Sequence, residues 1–386
     1  MLKSPKILLL TGSYGNGHLE VTRALVAELN KRGITDIVVS DLFYEAHPIL
    51  TNVTKQLYLK SFTKGQSIYG FLYYNSDARL TDFRIDRIID RYGYVRINQL
   101  MNTYSFDAVI NTFPMQALPI YKQKNKQNIP FVNVLTDFCL HSRWLSNEID
   151  HFFVACDSLK DELVASEISP EKITVSGIPI KERFYQLGMG EADTLQNENQ
   201  TKHLVVSAGA FGVLKKLPNL IEELSFQKDL TITVVCGQNK ELYELLTEQF
   251  KSKPFITILS YVEDMANLMK QADIMVTKPG GISLSEAIAL QTPLILTPAV
   301  PGQELDNAKL FEKEGMAIMT QQESEIVPAV LHLLKNPTAV SELKQNMKKH
   351  FYPYAAAVII DNVLTTIEKS TSSKENDNEK EFISYR

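Results

Sequence analysis

The feature that most constrains this chain is an alternation kept up along most of its length. Short continuous apolar runs are separated by longer stretches with helical spacing. The runs fall at residues 6–11, 37–40, 108–111, 131–135, 151–155 and 173–175. A second series follows at 203–207, 231–235, 256–259, 274–276 and 294–296. Strands that are apolar throughout are buried on both faces, and helices between them place those strands in a parallel sheet. The first helix is expected over 18–32, because Val21, Leu25 and Leu29 recur on one side and Gly33 can stop it. Further helices are expected around 217–224, 241–250, 265–271 and 283–290.

Residues 188–202 are polar and aperiodic, which predicts a linker between two domains, at 1–187 and 203–350. No short-period repeat is visible, only two similar halves. A helix is expected at 351–369, placed to return to the N-terminal domain, and a disordered polar tail at 370–386. The fold class is therefore α/β, with two doubly wound Rossmann-like domains facing a central cleft. Ligands of such sheets bind beyond the carboxyl ends of the strands, so the chemistry is expected in the loops that follow strands.

Composition narrows the function. The 386 residues are 44% hydrophobic, enough for two cores, and carry a net charge of −5, which argues against a general nucleic-acid binder. Cys139, Cys156 and Cys236 are an odd, scattered set, so neither a disulfide framework nor a zinc site is expected, and a reducing cytosol fits. The apolar run near the N-terminus is too short for a signal peptide and reads as a first strand. Nor does any stretch approach the roughly 20 apolar residues of a spanning helix.

Three loops carry candidate chemistry. Gly12-Ser13-Tyr14-Gly15-Asn16-Gly17-His18 follows the first strand and opens a helix, where glycines let backbone N–H groups approach an anion. It is neither a P-loop nor a complete dinucleotide fingerprint, although Asp41 after the second strand could take a ribose. The structural alternative is a tight turn. His18 at the helix start is disfavoured from protonation by the positive helix end, and a neutral His beside a cleft is a candidate general base. Thr277-Lys278-Pro279-Gly280-Gly281-Ile282-Ser283-Leu284-Ser285-Glu286 makes a stiff loop into a helix, with N–H groups for phosphate, charge from Lys278 and a carboxylate on Glu286 for ribose hydroxyls. The alternative is a plain helix start with a solvated Glu. Pro301-Gly302-Gln303-Glu304-Leu305-Asp306-Asn307 gathers the polar side chains Gln303, Glu304 and Asn307 that suit a sugar, or alternatively an N-capped surface helix.

The loop ending in His18, the Lys-Pro-Gly-Gly-x-Ser-x-x-Glu run and the Pro-Gly-Gln-Glu-x-x-Asn run together resemble glycosyltransferase family 28. That family has the GT-B fold and includes the UDP-GlcNAc transferase of peptidoglycan synthesis and plant monogalactosyldiacylglycerol synthase. The likeness extends over almost the whole chain. The stretches 42–49, 58–62 and 136–141 are most like its bacterial members that glucosylate diacylglycerol. What this resemblance implies is inverting transfer of glucose from UDP-glucose to diacylglycerol and then to glucosyldiacylglycerol. The products serve as membrane lipids and as the lipoteichoic acid anchor. By motif it implies that the turn at Gly209, Phe211 and Gly212 faces the diphosphate, and Gly17 of the first loop is counted among the donor-binding residues. Tyr261 and Val262 belong to the edge that holds uracil. Gly280, Gly281 and Ser283 meet the diphosphate, Glu286 the ribose, and Gln303, Glu304 and Asn307 the sugar or nearby phosphate. No cofactor and no metal are implied, helix ends and Lys278 standing in for a divalent ion. Asp137, after a buried strand, is a second base candidate or else a cap on the turn leading to His141.

Between Thr51 and Arg96, aromatic residues (Tyr58, Phe62, Tyr69, Phe71, Tyr73, Tyr74, Tyr92, Tyr94) interleave with basic ones (Lys55, Lys60, Lys64, Arg79, Arg84, Arg87, Arg91, Arg96). That mixture suits an anionic membrane surface, each basic residue near it contributing roughly 1 kcal/mol. It predicts a peripheral protein at the cytoplasmic face. The alternative is an amphipathic helix pair covering the first sheet. Glucose against galactose, the number of sugars added and the oligomeric state are left open at this level. The rival activity on the same fold is a sugar-nucleotide epimerase, and a third reading is a non-catalytic UDP-glucose sensor.

Overall fold

The computed structural model describes residues 4–13, 16–46, 84–190, 201–208 and 216–384. They divide into two compact units, each built on its own sheet. Unit 1 comprises the described residues up to Ile180 together with those from Tyr354 onward, and unit 2 the described residues from Lys181 to Pro353.

Unit 1 is a parallel sheet in the order β2-β1-β3-β4-β5-β6. Its strands are β1 (Ile7–Thr11), β2 (Ile37–Asp41), β3 (Ala108–Asn111), β4 (Phe131–Val134), β5 (His151–Val154) and β6 (Ile173–Val175). Every residue of β1, β3 and β4 is buried, as their unbroken apolar character requires once helices cover both faces. The chain steps outward from β1 to β2, then returns past β1 to place β3 on its other side. The loops after β1 and β3 therefore leave in opposite directions, which opens a crevice at that switch point.

The helix Ala355–Ser384 belongs to this unit, burying Ile359, Ile360 and Val363. Arg32, just past the end of the first helix (Asn16–Lys31), reaches the carboxylate of Asp361 and the carbonyl of Ala357, the latter at 3.3 Å. This helix runs on through Ser384, so the disordered tail expected from 370 is not what the backbone adopts. Lys and Glu are good helix formers, and extending an existing helix avoids the cost of nucleation.

Unit 2 repeats the architecture in the order β12-β11-β10-β7-β8-β9, again all parallel. Its strands are β7 (Lys202–Ser207), β8 (Leu230–Val235), β9 (Ile256–Leu259), β10 (Ile274–Thr277), β11 (Leu294–Leu296) and β12 (Ala317–Met319). Here the switch point lies between β7 and β10. Leu204, Val206, Ile232, Val234, Ile274 and Val276 pack with the helices Leu217–Leu224 and Ile326–Lys335, and each large side chain so buried contributes about 1.5–3 kcal/mol.

The boundary between the units differs from the one expected at 187. The helix Glu182–Met189 belongs to unit 2 and packs on the helix Gly281–Leu290. The absence of a side chain at Gly188 permits this, since a Cβ there would lie 2.0 Å from the carbonyl oxygen of Ala289. Of the linker expected at 188–202, residues 188–189 close this helix, and Lys202 already belongs to β7. Residues 191–200 lie outside the described residues.

Candidate active site

In unit 1 the site assembles around His18 at the switch point. The helix that carries it starts at Asn16, directly beyond the loop after β1. Its Nδ1 lies 2.8 Å from the carbonyl oxygen of Thr112, just past β3, and 2.9 Å from the Thr136 hydroxyl, just past β4. A carbonyl can only accept, so Nδ1 carries the proton and the lone pair of the neutral ring sits on Nε2. The Thr22 hydroxyl donates to the His18 carbonyl at 2.8 Å and meets the Thr112 hydroxyl at 2.9 Å, fixing helix and loop together. The Phe113 ring meets the imidazole edge to face, with centroids 4.9 Å apart.

Burial lowers the His18 pKa, and it outweighs the opposing pull of the Asp137 carboxylate, the Thr112 carbonyl and the Asp41 carboxylate. Sequence reasoning credited the helix end with keeping this ring neutral; the leading cause is removal from water. Asp137 is thus an electrostatic neighbour of His18, so the two base candidates share one site. Asp41, considered for a ribose, accepts the Ser13 and Tyr44 N–H groups at 2.9 and 3.1 Å and so braces the loop after β1. Thr112 and Thr136 were missed, although each directly follows a strand of the crevice, and that position is the signal that marks them.

In unit 2 the second and third loops come together beside the switch point. Gly280 caps the helix Gly281–Leu290 in an extended conformation, and the Leu284 N–H already bonds back to the Gly280 carbonyl at 3.1 Å. The N–H groups of Gly281, Ile282 and Ser283 belong to the open first turn of this helix, the end that favours an anion. Among the described residues, no atom lies within 4 Å of a Cβ built on Gly280. Ser283 and Glu286 are half-buried on the same helix, one turn apart.

Lys278 forms an ion pair with Glu304 at 2.8 Å, and the buried Asn307 donates from Nδ2 to the Pro279 carbonyl at 3.1 Å. Lys278 therefore offers a charge already shared with a carboxylate, and Asn307 braces the glycine loop. Gln303 opens the helix Gln303–Lys313 beside them. Tyr261 and Val262 follow β9, the edge strand, which β7 and β8 separate from β10 by roughly 14 Å at ordinary strand spacing. Tyr261 is 63% exposed, and among the described residues no hydrogen bond engages the backbone of either residue. Gly17 is half-buried in the first turn of its helix. Gly209, Phe211 and Gly212 lie outside the described residues.

Most of the aromatic and basic segment also lies outside them. Of its described members, two are engaged within unit 1 and are withdrawn from a membrane role. Tyr94 packs 5.9 Å from the Tyr121 ring and lies under the Lys124 ammonium, and Arg96 pairs with Glu45. Arg91 and Tyr92 are exposed. Among the described residues no helix is long and apolar enough to cross a membrane.

Comparison with known proteins bears on this arrangement. The monogalactosyldiacylglycerol synthase family matches residues 18–180, and the glycosyltransferase family 28 C-terminal domain matches residues 203–359. The chain is 39% identical over 368 residues to a processive diacylglycerol beta-glucosyltransferase of Bacillus cytotoxicus, covering 94% of each chain. It is 40% identical over 369 residues to the enzyme of that name from Bacillus cereus, again covering 94% of each. Among solved structures, Acinetobacter baumannii MurG superposes with a TM-score of 0.61 at 17% identity, over 94% of this chain and 100% of that one. The UDP complex of S. aureus MnaA superposes with a TM-score of 0.61 at 13% identity, over 93% and 96%. At such identities the superpositions establish the fold, two Rossmann-like domains of the GT-B type, and nothing further.

Proposed function

We propose that this chain, which belongs to the family of processive diacylglycerol β-glucosyltransferases, moves glucose from UDP-glucose to diacylglycerol and then to the glucosyldiacylglycerol so formed, with inversion. The observation that carries this reading is the likeness to those enzymes along nearly the full length of both chains. The relatives matched at 39–40% identity are named glucosyltransferases, which favours transfer over epimerisation.

The chemistry follows from the two sites. Unit 2 holds the donor: the open first turn of the helix Gly281–Leu290 meets the diphosphate, Glu286 the ribose, and Gln303 with the Lys278–Glu304 pair the sugar end. Tyr261 and Val262 offer uncommitted backbone groups to the uracil. In unit 1, His18 keeps Nδ1–H on the Thr112 carbonyl, which leaves Nε2 to take the proton from the acceptor hydroxyl. That oxygen attacks the anomeric carbon while the bond to the diphosphate breaks, and the helix end stabilises the departing charge. In this reading the reaction needs no metal ion or cofactor. The enzyme works as a peripheral protein at the cytoplasmic membrane face, and its glycolipids include the lipoteichoic acid anchor.

The test is direct. Purified protein incubated with labelled UDP-glucose or UDP-galactose and diacylglycerol vesicles, with EDTA present, is expected to yield mono- and then diglucosyldiacylglycerol from UDP-glucose. Galactolipid would correct the sugar, and an epimerised nucleotide without glycolipid would overturn the reading.

A further inference from the structure

We propose that the helix Arg84–Thr103 is the positioning element of the His18 site, and that Asp90, through its ion pair with Arg143, is its principal positioning residue. The inference rests on the reading of His18 as the base. Asp90, Gly93 and Arg96 recur every third residue, so they share one side of this helix. Each connects to a different neighbour of His18 through intervening residues.

Asp90 Oδ1 lies 2.6 Å from Arg143 Nη2, both side chains being largely buried (12% and 17% exposed). Arg143 lies in the 3-10 turn Ser142–Trp144 of the segment after β4, which near its start carries Thr136 and Asp137, the hydrogen-bond partner and the electrostatic partner of His18. The same loop is pinned by Gln116, which donates to the carbonyls of Arg143 and Leu145 at 3.2 Å, and by Asn133, which donates to the Trp144 carbonyl at 3.1 Å. Gly93 lets the helix approach closely, since a Cβ there would lie 2.8 Å from Ala117 Cβ and 3.6 Å from the Phe43 ring. Phe43 meets Phe113 edge to face at 5.6 Å, and Phe113 meets His18. Arg96 binds Glu45 at 2.6 and 2.9 Å, and Glu45 accepts from Ser40 Oγ and the Asp41 N–H at the end of β2. Asp41 is the second carboxylate acting on His18.

An ion pair as enclosed as Asp90–Arg143 adds little net stability, because desolvation offsets the attraction; its consequence is to fix geometry. The groups acting on the imidazole are Asp137 after β4, Asp41 at the end of β2 and the Thr112 carbonyl after β3, all pulling its pKa upward against burial. Releasing the β4 loop withdraws one of these upward pulls.

The experiment compares Asp90→Asn, Arg143→Lys and Arg143→Leu in the full chain, alone and combined with His18→Ala. Asp90→Asn is expected to lower kcat about tenfold or more, with the UDP-glucose KM changed less than about twofold, since misplacing a catalytic group costs rate rather than donor binding. The acidic limb of the kcat/KM profile should move to lower pH. Arg143→Lys should restore most of the rate, and Arg143→Leu should not. In the His18→Ala background, Asp90→Asn should add nothing.

A folded Asp90→Asn with an unmoved limb and unmoved kcat overturns the proposal, as does a loss of active fraction and Tm with the limb unmoved. Should Asp90→Asn not fold, Arg143→Leu against Arg143→Lys carries the same readings. If His18→Ala alone keeps wild-type turnover, it is the base assignment that falls, a result distinct from failure of the clamp.

Discussion

The two units use one local device, a loop that leaves a strand at a switch point and opens a helix, and they reach opposite chemistry with it. In unit 1 the loop after β1 leads to His18, and side chains and carbonyls from β3 and β4 lock the ring in one tautomer. In unit 2 the loop after β10 leads to Gly280 and Gly281, where backbone N–H groups open a helix and no described side chain lies within 4 Å of a Cβ at Gly280. A titratable group can act as a base only when its neighbours fix its proton; the diphosphate proposed for the second loop would need backbone N–H groups left open to it. The same geometry is crowded in one unit and, among the described residues, uncrowded at Gly280 in the other.

The comparison breaks most visibly at His18. His18→Ala should lower kcat by about 10²–10⁴-fold, the range of a lost general base, while calorimetric UDP affinity stays at the wild-type value. Lost UDP affinity with turnover kept would place the residue on the donor instead. Gly280→Ala tests the other half. No described residue stands within 4 Å of the added methyl group, so Tm should hold, whereas under the proposed donor role affinity for UDP-glucose should fall about tenfold, or about 1.4 kcal/mol. Unchanged affinity would mean that the diphosphate does not lie beside Gly280.

The smallest effect concerns acid stability and is confined to unit 1. Burial lowers the pKa values of both His18 and His151, so these rings are neutral in the fold while the unfolded chain protonates them near 6.5. Their contribution is present above about pH 6.5 and is lost as pH falls below it. Hydrogen-exchange protection in β1 and β5, taken relative to the intrinsic exchange rate at each pH, should therefore fall between about pH 7.5 and 5.5 more than in β7 and β8, and His151→Gln should reduce that difference. An equal loss of protection in both sheets would sink the idea.

Much of the fold was legible because a parallel strand buried on both faces writes itself as an unbroken apolar run. β12 escaped because Ala317–Met319 is too short to rise above its surroundings. The helix Glu182–Met189 was assigned to the wrong domain because Gly188 reads locally as a breaker, and only its contact with Ala289 explains it. At the site, His18 and the glycine loop stand in contiguous motifs and could be read directly. The pairing of Asp90 with Arg143 spans 53 residues, and that of Lys278 with Glu304 spans 26; no local pattern announces either. Lys278 was read as a free charge for the same reason. Its partner comes from the next strand's loop.

The contact of Arg32 with Asp361 joins residues 329 positions apart, so unit 1 is completed by a segment that is synthesised last. The first sheet leaves the ribosome early but lacks the helix Ala355–Ser384, which packs on the first helix, while every element of unit 2 lies between the two parts. During synthesis unit 2 is therefore the first unit able to finish folding, and unit 1 waits with the faces of Ile359, Ile360 and Val363 unfilled. Chains cut short before that helix would carry an intact second unit on a first unit that cannot close its core, the kind of product a cell's chaperones and proteases remove first.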